Sequence, residues 1–218
     1  MRYRRWSGAL ALLAVGSLAW SEGQAALDEA LGALQARYDA TRTLKAAFRQ
    51  TLESPTLAGA LEARGTVVFE KPNRMRWDYT GPDAQTIVGD GETLWIYQPD
   101  LKQVIKTPLR AAFQSSTPVT FLAGLGNVRR DFEPSLVTED AQRWVIRLVP
   151  RQSDAGIGTL LLDIRKHDAS VAEARITDAA GTVTTIRFEA EERNAAVPAG
   201  TFRFTPPPGV DVVTPPSS

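Results

Sequence analysis

The chain has 218 residues, of which 25 are basic and 25 acidic, with a single histidine and no cysteine. This length suits one domain with a sizeable core, since domains of about 100 to 200 residues are common. The balanced charge gives no electrostatic case for binding nucleic acid or an anionic membrane surface. Without cysteine there is no disulfide, no thiol nucleophile and no thiol to carry an N-terminal lipid anchor.

The first 25 residues have the layout of a secretory signal peptide. Three arginines within the first five residues precede an uncharged run over 7–20, and small residues follow. That run is shorter than the roughly 20 apolar residues that a membrane-spanning helix needs. Cleavage is expected after Ser21 or after Ala25, and removal through Ala25 leaves 22 basic and 24 acidic residues. The mature domain, 26–218, is therefore expected to be exported without a membrane attachment of its own.

An amphipathic helix is predicted directly after the leader. Two acidic residues stand in its first turn, where the helix dipole favours negative charge. Its apolar residues recur at helical spacing, at Leu27, Ala30, Leu31, Leu34 and Tyr38. The sequence thus predicts one helix with a single apolar stripe.

Beyond Thr41, apolar and polar residues alternate, which predicts β-strands with one apolar face each. Glycine, proline or aspartate separates the segments, and the Asp90-Gly91 pair predicts a tight turn. The predicted strands in this half lie at 44–52, 61–69, 75–79, 86–88, 94–97 and 104–107. Strands that follow one another at such short spacing indicate an antiparallel meander.

The middle of the chain interrupts the alternation. Two short apolar clusters, at 109–113 and 119–125, predict short helices, with Thr117-Pro118 as an N-cap and first-turn pair. Alternation then resumes, and it predicts strands at 144–148, 159–164, 171–176, 183–188 and 202–204. The segment 151–158 is predicted to be a hairpin loop, and the prolines at 206–208 to end the sheet before a loose tail.

The pattern as a whole predicts a mainly β protein of about ten or eleven antiparallel strands with one long helix and two short ones. Sheets of this size tend to curl or to split into two layers. The sequence pattern alone does not distinguish a curled sheet covered by helices from a two-layer sandwich. It shows neither an internal repeat nor a second domain.

Catalytic and metal-binding motifs are nearly absent from the sequence. His167 lies between two predicted strands in K-H-D-A-S, which favours a solvated turn residue over a general base. One histidine without cysteine gives no credible zinc cluster, and no calcium-binding loop, phosphate-binding glycine loop or G-x-S-x-G motif is present. The sequence therefore predicts a protein that is not an enzyme and holds no metal or cofactor.

Three segments resemble the periplasmic outer-membrane lipoprotein carrier family, LolA. They read F-E-K-P-N-R-M-R-W-D-Y at 69–79, D-G-E-T-L-W-I-Y-Q-P-D-L-K-Q-V at 90–104 and F-R-F-T-P-P-P-G-V-D-V at 202–212. The resemblance covers nearly the whole chain after the leader. It implies an incomplete antiparallel β-barrel whose concave apolar face is covered by the N-terminal helix and the short helices, which act as a lid.

For an unrecognised chain, the stripe of Phe69, Met75, Trp77, Tyr79, Trp95, Tyr97 and Trp144 is most simply a closed core. The resemblance implies instead that the apolar face lines a cavity for the acyl chains of lipoproteins. The implied cavity residues are Leu31, Leu34, Phe48, Val67, Phe69, Met75, Trp77, Tyr79, Leu94, Ile96, Phe121 and Leu122. A cavity of this kind suits acyl chains, because each buried methylene contributes about 0.8 kcal/mol.

The resemblance also implies partners and a compartment. A monomeric carrier in the periplasm would take acylated lipoproteins from an inner-membrane lipoprotein-releasing ABC transporter and pass them to an outer-membrane receptor. The alternatives are a carrier or sensor of the same fold for another lipid or glycolipid. An esterase is disfavoured because the nucleophile motif is missing.

Lys71 is the residue with the sharpest expected role. Members of the family often carry arginine before this proline, where it binds the helical lid, and here the residue is lysine. Lysine keeps the charge but lacks the planar fork that can hold two carbonyl groups. As a lid latch, Lys71 is expected to contact carbonyl groups near 122–124, at the end of the second short helix. The alternative is a solvent-facing lysine at a strand end.

Overall fold

Within the described residues, twelve β-strands form one sheet, and a long helix precedes them. The computed structural model describes residues 15–81, 83–109, 128–151 and 157–215. Helix α1 spans Val15–Ala40, and a short helix, α2, spans Val128–Asp131. The strands are β1 (Thr43–Glu53), β2 (Leu61–Glu70), β3 (Arg74–Thr80), β4 (Thr86–Asp90), β5 (Thr93–Gln98), β6 (Gln103–Pro108), β7 (Phe132–Glu139), β8 (Arg143–Pro150), β9 (Ile157–Arg165), β10 (Val171–Asp178), β11 (Val183–Arg193) and β12 (Asp211–Val213).

The strand order is β12-β6-β5-β4-β3-β2-β1-β11-β10-β9-β8-β7. Two antiparallel meanders, β1 to β6 and β7 to β11, join along the pairing of β1 with β11. Strand β12 is added beside β6 in parallel orientation. The sheet is open, with β12 and β7 at its two edges, and it matches the predicted mainly β fold, an incomplete barrel preceded by a helix.

Alternate residues of the strands point to one face of the sheet, and these carry the core. We call this the inner face; it includes Phe48, Trp77, Ile146 and Leu162, all of which are fully or nearly fully buried. Helix α1 contributes Leu27, Ala30 and Leu31 to the same apolar cluster. The predicted helical stripe is thus confirmed for Leu27, Ala30, Leu31 and Leu34, whereas Tyr38 contacts Lys71 at the end of the helix.

The opposite, outer face of the sheet carries a separate apolar cluster, formed with the segment that precedes β12. Phe204 packs with ring centroids 5.8 Å from Trp95 and 5.9 Å from Tyr97. Val88 and Val104 are fully buried on this side. A closed core that includes Trp95 and Tyr97 together with Trp77 is therefore wrong, because alternation along β5 places Leu94 and Ile96 on the inner face and their neighbours on the outer face.

The predicted strand at 202–204 is wrong. Phe204 of this segment packs against the outer face without forming a strand. The final strand is instead β12, which lies within the tail that was predicted to be loose. Strand β7 was not predicted, because Pro134 and a register shift between Leu136 and Thr138 interrupt its alternation. Most of the predicted hairpin loop at 151–158 lies outside the described residues, and the strands on either side of it, β8 and β9, pair in antiparallel orientation.

The predicted lid helices fall almost entirely outside the described residues. Leu109 is described, and it is buried against the inner-face cluster. Helix α1 is continuous from Val15, so both expected cleavage positions lie within it. None of the helices in the described part of the chain has the length and apolar character needed to span a membrane.

Candidate functional site

The candidate site is the inner face of strands β1 to β5, where the strand register aligns apolar side chains in rows. One row runs across five strands through Ala46, Val67, Trp77, Ile87 and Ile96. A parallel row comprises Leu44, Phe69, Met75, Gly89 and Leu94. Side chains that are directly opposed on neighbouring strands lie close enough to contact each other, so each row is a continuous apolar strip.

Aromatic rings concentrate around Trp77. Its ring centroid lies 4.8 Å from that of Phe48 and 5.8 Å from that of Phe69, with both pairs close to edge-on. Tyr79 lies 4.9 Å from Phe48, and Phe188 of β11 lies 6.4 Å from Trp77. Edge-to-face geometry adds to the stabilisation by area burial in such pairs, so the aromatic rings stabilise one another beyond the area that they bury.

Gly65 makes room for the aromatic cluster. It lies between Phe48 and Tyr79 in the register of β1, β2 and β3. A Cβ atom at this position would stand 2.0 Å from the carbonyl oxygen of Asp78 and 2.9 Å from a ring carbon of Phe48. The missing side chain lets the two rings meet across β2.

Ten of the twelve predicted cavity residues come together on the inner face. Leu31, Phe48, Val67, Phe69, Met75, Trp77, Tyr79 and Leu94 are buried in the apolar cluster, and Leu34 and Ile96 pack against it partly buried. Phe121 and Leu122 lie outside the described residues.

Sequence reasoning missed the other half of the inner face. Strands β8 to β11 contribute a largely aliphatic surface of the same cluster, and their alternation carries the signal that identifies it. These residues are Ile146, Leu148, Leu160, Leu162, Ile164, Ala174, Ile176, Ile186 and Phe188.

Helix α1 lies over the inner face and is held by polar contacts at its middle and near its C-terminal end. Arg129 binds Asp28 at 2.8 Å, and this hydrogen bond lowers the pKa of Asp28. Arg37 binds Asp168 at 3.1 Å and Glu191 at 2.5 Å. The helix is therefore tied to α2, to the β9–β10 turn and to β11 by charged groups that lie at the margin of the apolar contact.

Lys71 contacts the C-terminal end of α1. Its Nζ donates a hydrogen bond to the carbonyl oxygen of Tyr38 and lies 3.4 Å from the centroid of the Tyr38 ring. Burial lowers the pKa of Lys71, because desolvation disfavours the ammonium ion, while the carboxylate of Asp39 acts in the opposite direction. The carbonyl groups predicted as its partners, near 122–124, lie outside the described residues.

The contact to Tyr38 was not predicted, although a physical signal was present. The last carbonyl groups of a helix lack partners within the helix, and cations are favoured there. Two more donors serve the same end of α1: Thr41 Oγ1 to the carbonyl of Arg37 at 2.7 Å, and Asn194 Nδ2 to that of Ala40 at 3.0 Å.

Among the residues that the structure describes, few polar groups lie on the inner face. Tyr79 donates its hydroxyl to Oε1 of Gln50 at 3.0 Å, and burial raises the pKa of Tyr79 to about 12. The phenol is therefore neutral under physiological conditions. His167 is exposed in a turn, as predicted, with Nε2 at 3.5 Å from Asp168. The part of the chain that the structure describes contains no group of three or more side chains suited to a metal ion.

A groove of about 380 Å³ lies elsewhere, lined mainly by polar side chains. Arg49, Arg64 and Arg187 are in cross-strand register there and share a face opposite to Phe48. The groove is thus on the outer face and does not belong to the apolar site.

Comparison with solved structures supports the fold. A crystal structure of an uncharacterized conserved protein from Thermus thermophilus superimposes with a TM-score of 0.55 at 14% identity, covering 86% of this chain and 98% of the other. At that identity, the likeness concerns the fold alone.

Comparison with known sequences identifies the family. The outer-membrane lipoprotein carrier protein of Methylobacillus flagellatus is 35% identical over 181 residues, covering 83% of this chain and 86% of the relative. The protein of the same description from Chromobacterium violaceum is 34% identical over 203 residues, covering 93% and 96%. The family model described as outer membrane lipoprotein carrier protein LolA matches residues 39–205. The chain belongs to the LolA family of outer-membrane lipoprotein carrier proteins.

Proposed function

We propose that this protein is a periplasmic carrier that binds the acyl chains of lipoproteins released from the inner membrane and delivers them to the outer membrane. The observation that carries the proposal is the inner face, which is apolar across both meanders. In the described part of the chain, α1 packs on this face, and that helix is held by polar contacts beside the apolar contact. Family membership supplies the cargo class.

Acyl chains suit this face on physical grounds. Each CH2 group that leaves water contributes about 0.8 kcal/mol, and burial of hydrocarbon requires no directional partner. The side chains that pack under α1 in the unloaded protein are available to the chains when α1 moves. Cargo then replaces contacts of the same kind, so uptake and release both proceed across a small free-energy difference.

The lid in this proposal comprises α1 and the segment 109–127, with Lys71 as its latch. The contact of Lys71 with Tyr38 ties the β2–β3 turn to the end of α1 and supports the latch role. The proposed cavity residues are the twelve predicted from the sequence together with the aliphatic half of the inner face.

The proposed exchange partners follow from the carrier role. Lipoproteins would be received from an inner-membrane ABC transporter and handed to an outer-membrane receptor, with the carrier acting as a monomer and without catalysis. The predicted leader supports export into the periplasm.

The test is the lipid content of the protein isolated from periplasm, followed by reconstituted loading. Mass spectrometry is expected to find acylated lipoprotein, and a cargo whose acylated cysteine is replaced by serine is expected not to bind. Phospholipid or glycolipid alone would favour a carrier of another lipid. Retained affinity for the unacylated cargo would contradict recognition through acyl chains.

A pair of variants locates the site. Met75→Glu places a carboxylate on the inner face, where Met75 is 1% exposed, and is expected to abolish loading because a buried unpaired charge costs several kcal/mol. Arg74→Glu changes the neighbouring, half-exposed side chain, whose contact with Glu70 is a loose 3.8 Å. It is expected to load normally, and equal loading by both variants would remove the inner face from the mechanism.

A further inference from the structure

Among the described residues, the buried indole N–H of Trp77 has no hydrogen-bond acceptor, and it lies within the aromatic cluster of the inner face. Trp77 is fully buried, and its Nε1 has no hydrogen-bond partner among the described residues. Burial of a donor without a partner is costly, and buried tryptophans usually find an acceptor. The buried Trp77 indole N–H can therefore donate one hydrogen bond that no described residue accepts.

The tryptophan on the outer face, Trp95, differs from Trp77 because its indole N–H has an acceptor. Trp95, on the outer face, donates its Nε1–H to Oδ2 of Asp90 at 3.3 Å. On the inner face, Trp144 also has a buried Nε1 without a partner in the part of the chain described. The fully buried side-chain donors that lack an acceptor among the described residues are thus both on the face proposed to receive cargo.

We propose that the Trp77 indole N–H donates a hydrogen bond to the carbonyl oxygen of an ester-linked acyl chain. The inference rests on the proposed carrier function and adds a specific recognition contact to it. Trp77 then distinguishes acylated cargo from other apolar molecules, since hydrocarbon alone offers no acceptor.

The surroundings of Trp77 select a neutral acceptor. Its ring neighbours are Phe48, Phe69, Tyr79 and Phe188, which bring no cation to the site. A carboxylate would lose its hydration there without a counterion, which is unfavourable. An acyl carbonyl accepts one hydrogen bond, carries no charge and is covalently joined to the hydrocarbon that the rest of the face buries.

The test compares two lipopeptides of one peptide sequence and one chain length. In one, the cysteine sulfur carries a glycerol with two ester-linked palmitoyl chains; in the other, the glycerol carries two ether-linked hexadecyl chains. The wild-type protein is expected to bind the ester form about five- to tenfold more tightly, the effect of one buried hydrogen bond. Trp77→Phe is expected to reduce this preference to within about twofold.

Trp95→Phe is the matched control, because its donor is already satisfied on the outer face, and it is expected to keep the full ester preference. Equal binding of the two lipopeptides by the wild type would overturn the inference while leaving the carrier function intact. A preference that survives in Trp77→Phe would overturn it too, and its loss in Trp144→Phe would transfer the role to Trp144. If the wild type binds neither lipopeptide, the carrier function itself fails.

A second measurement needs no variant to remain stable. In NMR spectra of the wild-type protein, the indole proton of Trp77 is expected to move downfield on loading with the ester lipopeptide and much less with the ether lipopeptide. An indole proton that responds equally to both would contradict the hydrogen bond.

Discussion

Gly65 shows how much the aromatic cluster depends on one residue without a side chain. Adding a Cβ would create contacts of 2.0 Å with the backbone of Asp78 and 2.9 Å with Phe48. The backbone of Asp78 cannot move away as a flexible side chain could, so β2 and β3 would have to separate locally to relieve the contact.

We therefore expect Gly65→Ala to destabilise the fold by about 1–3 kcal/mol, the usual cost of overpacking. Gly32→Ala is the control of opposite sign, because Gly32 lies exposed in α1 with nothing within 4 Å of the added atom. It should stabilise the helix by about 0.5–1 kcal/mol. Urea unfolding of both variants measures the change in the free energy of unfolding. Equal changes would show that the close backbone contact at Gly65 does not affect stability.

At the scale of elements, we expect the contacts at the C-terminal end of α1 to limit its mobility. Lys71→Met removes both the hydrogen bond to Tyr38 and the cation over its ring. Loss of about 1 kcal/mol is expected to speed amide exchange in the last turns of α1 about fivefold and to accelerate cargo uptake. Lys71→Arg should retain the protection.

Lys45→Met is the control for the Lys71 variants. Lys45 is a half-buried lysine of β1 that contacts neither Tyr38 nor any other residue of α1 through a described hydrogen bond or ion pair. If it changed exchange in α1 as much as Lys71→Met does, the effect would come from lost charge in general and the latch role would be refuted.

The salt bridge of Arg37 with Asp168 makes the attachment of α1 sensitive to acid. Burial acts to raise the pKa of Asp168, but hydrogen bonds from Ser170 and the charge of Arg37 outweigh it, so the pKa lies below its usual value. A carboxylate with a depressed folded-state pKa contributes stability that is present above its unfolded pKa of about 3.9. This contribution is lost as the pH falls through the folded-state pKa.

Asp168→Asn is accordingly expected to lower stability at neutral pH and to flatten the loss of stability below about pH 4. The measurement is the free energy of unfolding in urea between pH 7 and pH 2 for the variant and the wild type. Parallel curves for the two proteins would mean that Asp168 contributes no differential proton binding.

Most of the elements could be predicted from the sequence, because alternation on a one-sided sheet is a strong local signal. The resemblance, and not the alternation alone, included Leu94 and Ile96 among the cavity residues, and both lie on the inner face. The two strands that were missed have causes that the local pattern does not show. Strand β12 forms through parallel pairing with β6, and the alternation in β7 is interrupted by Pro134 and a register shift. The partner of Lys71 was likewise set by where the end of α1 lies, which depends on tertiary packing.

For the whole molecule, β12 protects an edge. It is a short strand with Val212 and Val213 about half exposed, and it covers the backbone of β6 from Gln103 to Ile105. Unpaired edges tend to recruit strands from other molecules. Deletion of 211–218 is therefore expected to leave the fold intact and to cause self-association, which sedimentation at increasing concentration will detect. Deletion of 214–218 keeps β12 and should leave the protein monomeric; association of both forms alike would show that β12 does not protect the edge.

The pairing of β1 with β11 has a consequence for how the chain acquires its structure. Arg49 and Glu189, which bind each other across this pair, are 140 residues apart in sequence. Contacts at such separation make folding slow, since the entropy of closing a long loop is lost before the contacts form. A chain that emerges N-terminus first exposes one edge of β1, with Phe48 beside it, until β11 has followed. During that interval, the exposed edge of β1 is prone to pair with strands of other molecules. Its protection from aggregation then depends on factors outside the folded molecule.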